Sequence, residues 1–215
     1  MLIARNLGMK YPDGDQERTI FRNVNLEIQD KQRIAIVGPS GSGKSTLLYL
    51  LSGLRKPTEG SVVFENEVIT DLEDTSYVRM KYFGFIFQQH YLIPYLSVLQ
   101  NVLIGEDGKR SKERMDKAKD FLCKLGLEKE MHKKPYQLSG GQQQRVAIAR
   151  AVAKEPKIIF ADEPTASLDR KNAAEVMELL RNFTDAALIF NTHDLSLIRE
   201  TDQRIEISEN GVNMS

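Results

Sequence analysis

Three scarcities narrow what this chain of 215 residues can be. It has a single cysteine, Cys123, so an internal disulfide is excluded, and such a chain suits a reducing compartment. Cys123 is read as an inert residue of a helix. Net charge is lacking too: 30 Lys plus Arg offset 30 Asp plus Glu, so no basic surplus points to nucleic acid, and no nucleic-acid partner is expected. No stretch approaches the roughly 18 apolar residues that span a bilayer, and Met1-Leu2-Ile3-Ala4-Arg5-Asn6 turns polar too soon for a signal peptide. The expected location is the cytosol, so any membrane span the chain serves belongs to another polypeptide. Long heptad runs, internal repeats and low-complexity tracts are also missing, which leaves no coiled-coil arm or solenoid. What remains is enough length for one domain with a buried core, with room for an inserted subdomain.

Short apolar or alternating runs at residues 2–8, 19–28 and 60–65, bounded by Gly, Pro and Asp, predict strands of a small antiparallel sheet. Residues 33–37, Arg-Ile-Ala-Ile-Val, predict a buried strand running into a glycine-rich loop, with a helix over 45–52. Residues 158–161 and 187–190 are further short apolar runs, each followed by a helical pattern, as in a parallel sheet with helical crossovers. Between Gln88 and Gln137 the texture becomes charge-rich and helix-forming. Its clearest amphipathic segment is 111–125, with Met115, Ala118, Phe121, Leu122 and Leu125 on one face and Gly126 as its stop. Residues 204–208 read as one more strand.

Three motifs carry chemistry. Gly38-Pro39-Ser40-Gly41-Ser42-Gly43-Lys44-Ser45 matches the P-loop, whose glycines let backbone N–H groups converge on phosphate while the following helix presents its positive end. Lys44 is positioned to neutralise the β and γ phosphates, Ser45 to offer its hydroxyl to Mg²⁺, and Thr46 to help bind phosphate. Asp162 and Glu163 end an apolar strand, where ligands of parallel sheets sit. Asp162 would hold Mg²⁺ and Glu163 would orient or deprotonate the attacking water, although an Asp-Glu pair by itself is more often a solvated turn. Between these lies Leu138-Ser139-Gly140-Gly141-Gln142, a serine and paired glycines at a helix start, which forms a second anion cradle or simply a capped turn.

The order and spacing of the three motifs resemble the ATP-binding subunit of an ABC transporter over nearly the whole chain. The resemblance implies an α/β fold, a P-loop NTPase of ABC type. Its core sheet is mostly parallel and flanked by helices, with an antiparallel β part and an inserted helical subdomain. The single domain 1–215 would divide into an ATP-binding core, 1–88 and 137–215, and a helical subdomain, 89–136. It implies ATP and Mg²⁺ as cofactors, and a homodimer on ATP binding in which Ser139, Gly140, Gly141 and Gln142 of one subunit close over ATP held by the P-loop of the other. Tyr11 resembles the aromatic that stacks on adenine, though alone it would be a core or turn tyrosine. Gln88 resembles the glutamine that reaches Mg²⁺ and the attacking water. Ser167-Leu168-Asp169 resembles a loop through which the subunits sense each other, and Asp169 could equally cap the helix from Lys171. His193 resembles the switch histidine at the γ phosphate. Glu163, His193, Gln88 and Lys44 form the implied catalytic set, with Ser45, Gln88 and Asp162 at the metal.

The wording GFIFQQHYLIP from Gly84 and LSVLQNV from Leu96, with ADEPTASLD from Ala161, looks like the lipoprotein-releasing, macrolide-exporting and peptide-resistance branch. That branch implies a separately encoded membrane permease and export or extraction of amphiphilic cargo, with the chain held at the inner face of the membrane. The alternative is a permease-like complex that regulates cell-division or cell-wall enzymes and transports nothing. Soluble ABC ATPases of DNA repair or translation need a coiled-coil insertion or tandem domains, and P-loop kinases lack LSGGQ. Two departures stand out: Asp30-Lys31-Gln32 replaces a glycine-containing turn, and Asn191 replaces an apolar or small residue before Thr192. The segment after Val102 is short, which leaves the permease-facing surface open.

Overall fold

A computed structural model of the protein describes residues 1–14, 16–104, 112–166, 168–182, 185–208 and 211–214. They form two compact units, Met1–Arg79 with Ala187–Ser215, and Met80–Ala186.

The first unit holds an antiparallel sheet and a parallel one. In the antiparallel sheet β1 (Leu2–Asp13) pairs with β2 (Gln16–Ile28) on one side and β4 (Glu59–Phe64) on the other, and β5 (Glu67–Val68) follows β4. Both long strands exceed the runs expected from alternation. The cause lies in β1, whose register against β2 shifts after Ala4, Leu7 and Met9. Each shift breaks the two-residue alternation while the backbone goes on pairing, so Tyr11 opposite Arg18 is strand and not turn.

In the parallel sheet β3 (Arg33–Val37) lies between β8 (Ala187–Asn191) and β9 (Gln203–Ser208), and β10 (Gly211–Met214) closes the edge antiparallel to β9. Ile34, Ala35 and Ile36 on β3 and Leu188, Ile189 and Phe190 on β8 are buried, as strands covered on both faces require. Helix α1 (Lys44–Leu51) buries Leu47, Leu48, Leu50 and Leu51. Each such side chain contributes about 1.5–3 kcal/mol on removal from water. The turn before β3 puts Lys31 at φ +64°, the left-handed conformation for which the departed-from glycine is suited.

One expectation fails here: no helix follows β8. Asp194 Oδ1 accepts from the Ser196 backbone N–H at 2.9 Å and its hydroxyl at 2.6 Å, closing a single 3₁₀ turn over Leu195–Leu197. Ile198 then returns to extended backbone. Asp194 caps this turn as it would cap a helix, but among the described residues only two backbone bonds follow, Leu197 N–H to Asp194 O and Ile198 N–H to Leu195 O.

The chain passes from the first unit to the second along α2 (Ser76–Tyr82), and in the second unit β6 (Phe83–Ile86) pairs in parallel with β7 (Ile158–Asp162). Phe83 and Phe160 meet edge to face at 5.2 Å across that pair. Ser97 and Gln100 cap α3 (Val98–Leu103) reciprocally. Fully buried Asn101 ties the preceding loop by accepting from Ile93 N–H and donating to the carbonyls of Ile93, Leu96 and Ser97. Helix α4 (Lys112–Lys124) turns Ala118 and Leu122 inward and carries Cys123 on its exposed side. Ser111, the first residue of the expected amphipathic segment, lies outside the described residues. Gly126, at φ +70°, ends the helix: its N–H reaches Cys123 O and that of Leu127 reaches Leu122 O. Helices α5 (Gly140–Val152) and α6 (Arg170–Asn182) complete the unit.

Candidate functional site

The first unit contains a phosphate cradle. Strand β3 ends at Val37, and residues 38–43 turn the chain into α1. Gly43 is the N-cap of α1, at φ +100° and with no side-chain cap. A Cβ at Gly43 would lie 2.6 Å from Ile20 Cγ2 and from Phe21 Cζ. At Gly38 a Cβ would meet the Ile207 carbonyl oxygen at 2.5 Å. The loop therefore approaches its surroundings at distances only glycine permits. Gly43→Ala is expected to lower the unfolding free energy by about 1–3 kcal/mol from left-handed strain alone, and a urea transition that does not move would contradict this.

Ser40 and Gly41 are exposed at the loop's tip, while the Ser42 hydroxyl oxygen is buried without a hydrogen-bond partner among the described residues. Lys44 is 5% exposed, and its Nζ donates to Gly38 O at 3.0 Å and Pro39 O at 2.9 Å. A desolvated ammonium, an orphaned hydroxyl and a helix start without a side-chain cap together fit a polyphosphate. Tyr11 hydroxyl lies 3.4 Å from Thr46 Oγ1, and Arg55 stands 5.1 Å from the Tyr11 ring centroid. The ring is thus held beside α1, where a base attached to those phosphates could stack.

The end of β8 joins the same cradle, because Ile36 on β3 pairs with Asn191. Asn191 is completely buried and its Nδ2 donates to Ser45 Oγ at 3.2 Å. Thr192 is buried next to it and accepts from Asp194 N–H through Oγ1 at 3.1 Å, so His193 is exposed on a short fixed turn.

The second unit holds the other residues. Strand β7 is buried along its whole length and delivers Asp162, 7% exposed, at its carboxyl end. Glu163 follows at φ +49° with Oε1 shut off from solvent. A non-glycine residue in that conformation is strained, and such strain gathers at functional positions. Because Ile86 pairs with Ala161, Gln88 leaves β6 at the same carboxyl edge, and it is exposed. Ser139 caps α5: its Oγ accepts from Gln142 N–H at 3.3 Å, and Gln142 Oε1 accepts from Ser139 N–H at 3.0 Å. Ser139 and Gly140 are exposed, Gly141 and Gln142 half-buried, and Val146 to Ala149 are buried. The turn is therefore a true helix cap, and an exposed one. Asp169 accepts from the backbone N–H groups of Lys171 and Asn172, both at 3.0 Å, so it does cap α6, and those bonds hold its carboxyl below the usual range. Ser167 lies outside the described residues.

Two connections escaped the sequence reading. Arg150 on α5 donates to the carbonyls of His90 and Tyr91, each at 2.7 Å, and so ties the signature helix to the segment just after Gln88. Its only trace was an arginine closing the string that begins at Leu138. Asn191 was visible as a departure, with no role attached.

A profile described as ABC transporter matches residues 21–166. The chain belongs to the ABC transporter family. It is 40% identical over 220 residues to the putative hemin import ATP-binding protein HrtA of Staphylococcus epidermidis, covering 100% of this chain and 99% of that protein. It is 39% identical over 216 residues to the lipoprotein-releasing system ATP-binding protein LolD of Hydrogenovibrio crunogenus, covering 97% and 94%. Among solved structures, the dimeric post-hydrolysis state of the ATP-binding cassette MJ0796 bound to ADP and Pi superposes with TM-score 0.88 at 38% identity, covering 100% of this chain and 98% of that one. The resemblance read from the motifs thus holds for family, fold and branch, and the chain is an ATPase of the ABC type. No helix among the described residues is long and apolar enough to cross a membrane.

Proposed function

We propose that the chain hydrolyses ATP as a homodimer and passes the closure of that dimer to separately encoded permease subunits at the inner face of the cell membrane. The observation that carries the reading is the buried Lys44 ammonium inside a loop whose glycine leaves α1 without a side-chain cap. Such a loop attracts the β and γ phosphates by charge and by convergent N–H groups. In this reading Gly38, Pro39, Ser40, Gly41, Ser42 and Gly43 enclose the phosphates, Thr46 helps to hold them, and Tyr11 stacks on adenine. Ser45, Gln88 and Asp162 would supply the hard oxygens that suit Mg²⁺, and Gln88 would also reach the attacking water. The metal, when bound, spreads the charge that develops on the β and γ oxygens. Glu163 takes a proton from water and His193 contacts the γ phosphate. The helical subdomain is assigned to 89–136.

Ser139, Gly140, Gly141 and Gln142 would cap the nucleotide of the partner subunit, using an exposed helix start whose own N–H demand is only partly met by Ser139. The cargo is proposed to be amphiphilic and moved outward or extracted. Relatives named for lipoprotein release and for hemin favour a cargo with a large apolar part, and cargo would touch the permease alone.

Sedimentation with and without ATP and Mg²⁺ tests the dimer. ATP is expected to convert monomer to dimer. Ser139→Phe is expected to keep nucleotide binding by the monomer and lose the dimer, at a cost in stability of about 1 kcal/mol for the lost cap. Dimerisation by that variant at the wild-type ATP concentration would remove the signature from the subunit contact.

A further inference from the structure

We infer that Asn191 is a positioning residue for the metal-binding hydroxyl of Ser45. The inference rests on the reading of Ser45 as a Mg²⁺ ligand given above.

The pairing of β3 with β8 brings Asn191 opposite Ile36, one strand away from the residues that open the cradle. An amide there is unexpected on packing grounds, since the four preceding residues of β8, Ala187 to Phe190, are all buried and apolar. A completely buried amide is tolerated only when it finds partners. One of them is Ser45 Oγ, which accepts from Asn191 Nδ2 at 3.2 Å.

The consequence follows from the valence of a hydroxyl. Serine Oγ has one proton and two lone pairs, and its χ1 torsion can occupy three staggered wells. The Asn191 N–H occupies one lone pair and selects one well. A hydroxyl held in one well presents its oxygen to a cation in a single orientation. An apolar side chain at 191 would leave the torsion to be ordered only when metal and nucleotide bind, and that ordering would weaken their binding. Asn191 therefore acts on the metal through Ser45 without touching it.

The test compares four full-length proteins: wild type, Asn191→Val, Ser45→Ala and the double variant. A fluorescent ATP analogue is titrated in EDTA and then against Mg²⁺, with urea unfolding as the control for folding. Asn191→Val is expected to raise the half-saturating Mg²⁺ by about three- to tenfold, the worth of one hydrogen bond, and to leave the affinity in EDTA unchanged. Ser45→Ala is expected to raise it further, and Asn191→Val to add nothing in that background, because the effect on the metal runs through the missing hydroxyl. A purely structural role for Asn191 would lower affinity in EDTA as well and would add in the double variant, and either result overturns the inference. If Ser45→Ala shifts the Mg²⁺ curve and Asn191→Val does not, the inference fails and the reading of Ser45 stands. If Ser45→Ala shifts nothing, the reading itself fails and the inference with it. Should the valine variant not fold, Asn191→Ala carries the same comparison.

Discussion

Glu163→Gln binds ATP as the wild type does, runs as a dimer when ATP is present, and releases phosphate about 10²- to 10⁴-fold more slowly, the usual worth of a positioned general base. The amide has the size of the carboxylate, so the strained backbone at φ +49° and the shut-off position of Oε1 need not change. What changes is the capacity to take a proton, because a glutamine oxygen is a far weaker base than a carboxylate. Binding and dimerisation precede that step and keep their contacts. Phosphate release and gel filtration on the same sample separate the two: normal turnover removes Glu163 from its assigned role, whereas loss of the dimer would make it a structural residue.

Lys44→Ala weakens ATP binding before any question of turnover arises. Its Nζ bridges the carbonyls of Gly38 and Pro39 from a position 5% exposed, so the charge is already desolvated and held at the centre of the loop. A charged hydrogen bond contributes about 1.5–3 kcal/mol, which at about 1.4 kcal/mol per decade predicts affinity lowered roughly tenfold to a hundredfold or more. Isothermal titration with ATP measures it, with circular dichroism to show that the fold survives. The core under the loop, built from Ile34, Ile36, Leu47 and Leu48, does not involve the lysine head group. Undiminished binding would mean that the backbone N–H groups alone hold the phosphates.

Much of the fold was legible because its signals are local. A buried apolar strand, a glycine that alone tolerates φ +100°, and a helix follow one another within twenty residues, and each constrains the next. Ser139 and Gln142 are three residues apart, so their capping box is readable as a spacing. The failures were of a different kind. The shifts in β1 hid Tyr11 inside a strand, because a half-buried strand is read from its alternation and a bulge erases it. The turn at Leu195–Leu197 looked helical because its cap by Asp194 is the one a helix start uses, and periodicity does not record that the backbone turns extended at Ile198. The departure at Asp30-Lys31-Gln32 was visible in the sequence, and its left-handed backbone at Lys31 was not.

By itself the order of residues determined the family, the P-loop, the carboxylates at the end of β7 and the capped signature, since each is written within a few neighbouring positions whose geometry the backbone dictates. Only the tertiary structure decided that Arg150 grips the carbonyls of His90 and Tyr91 and that Asn191 reaches Ser45, 146 positions away. Side chains so far apart along the chain meet only when helices pack and β8 chooses its register against β3, and that choice comes from burying whole strands, which no short stretch of sequence contains.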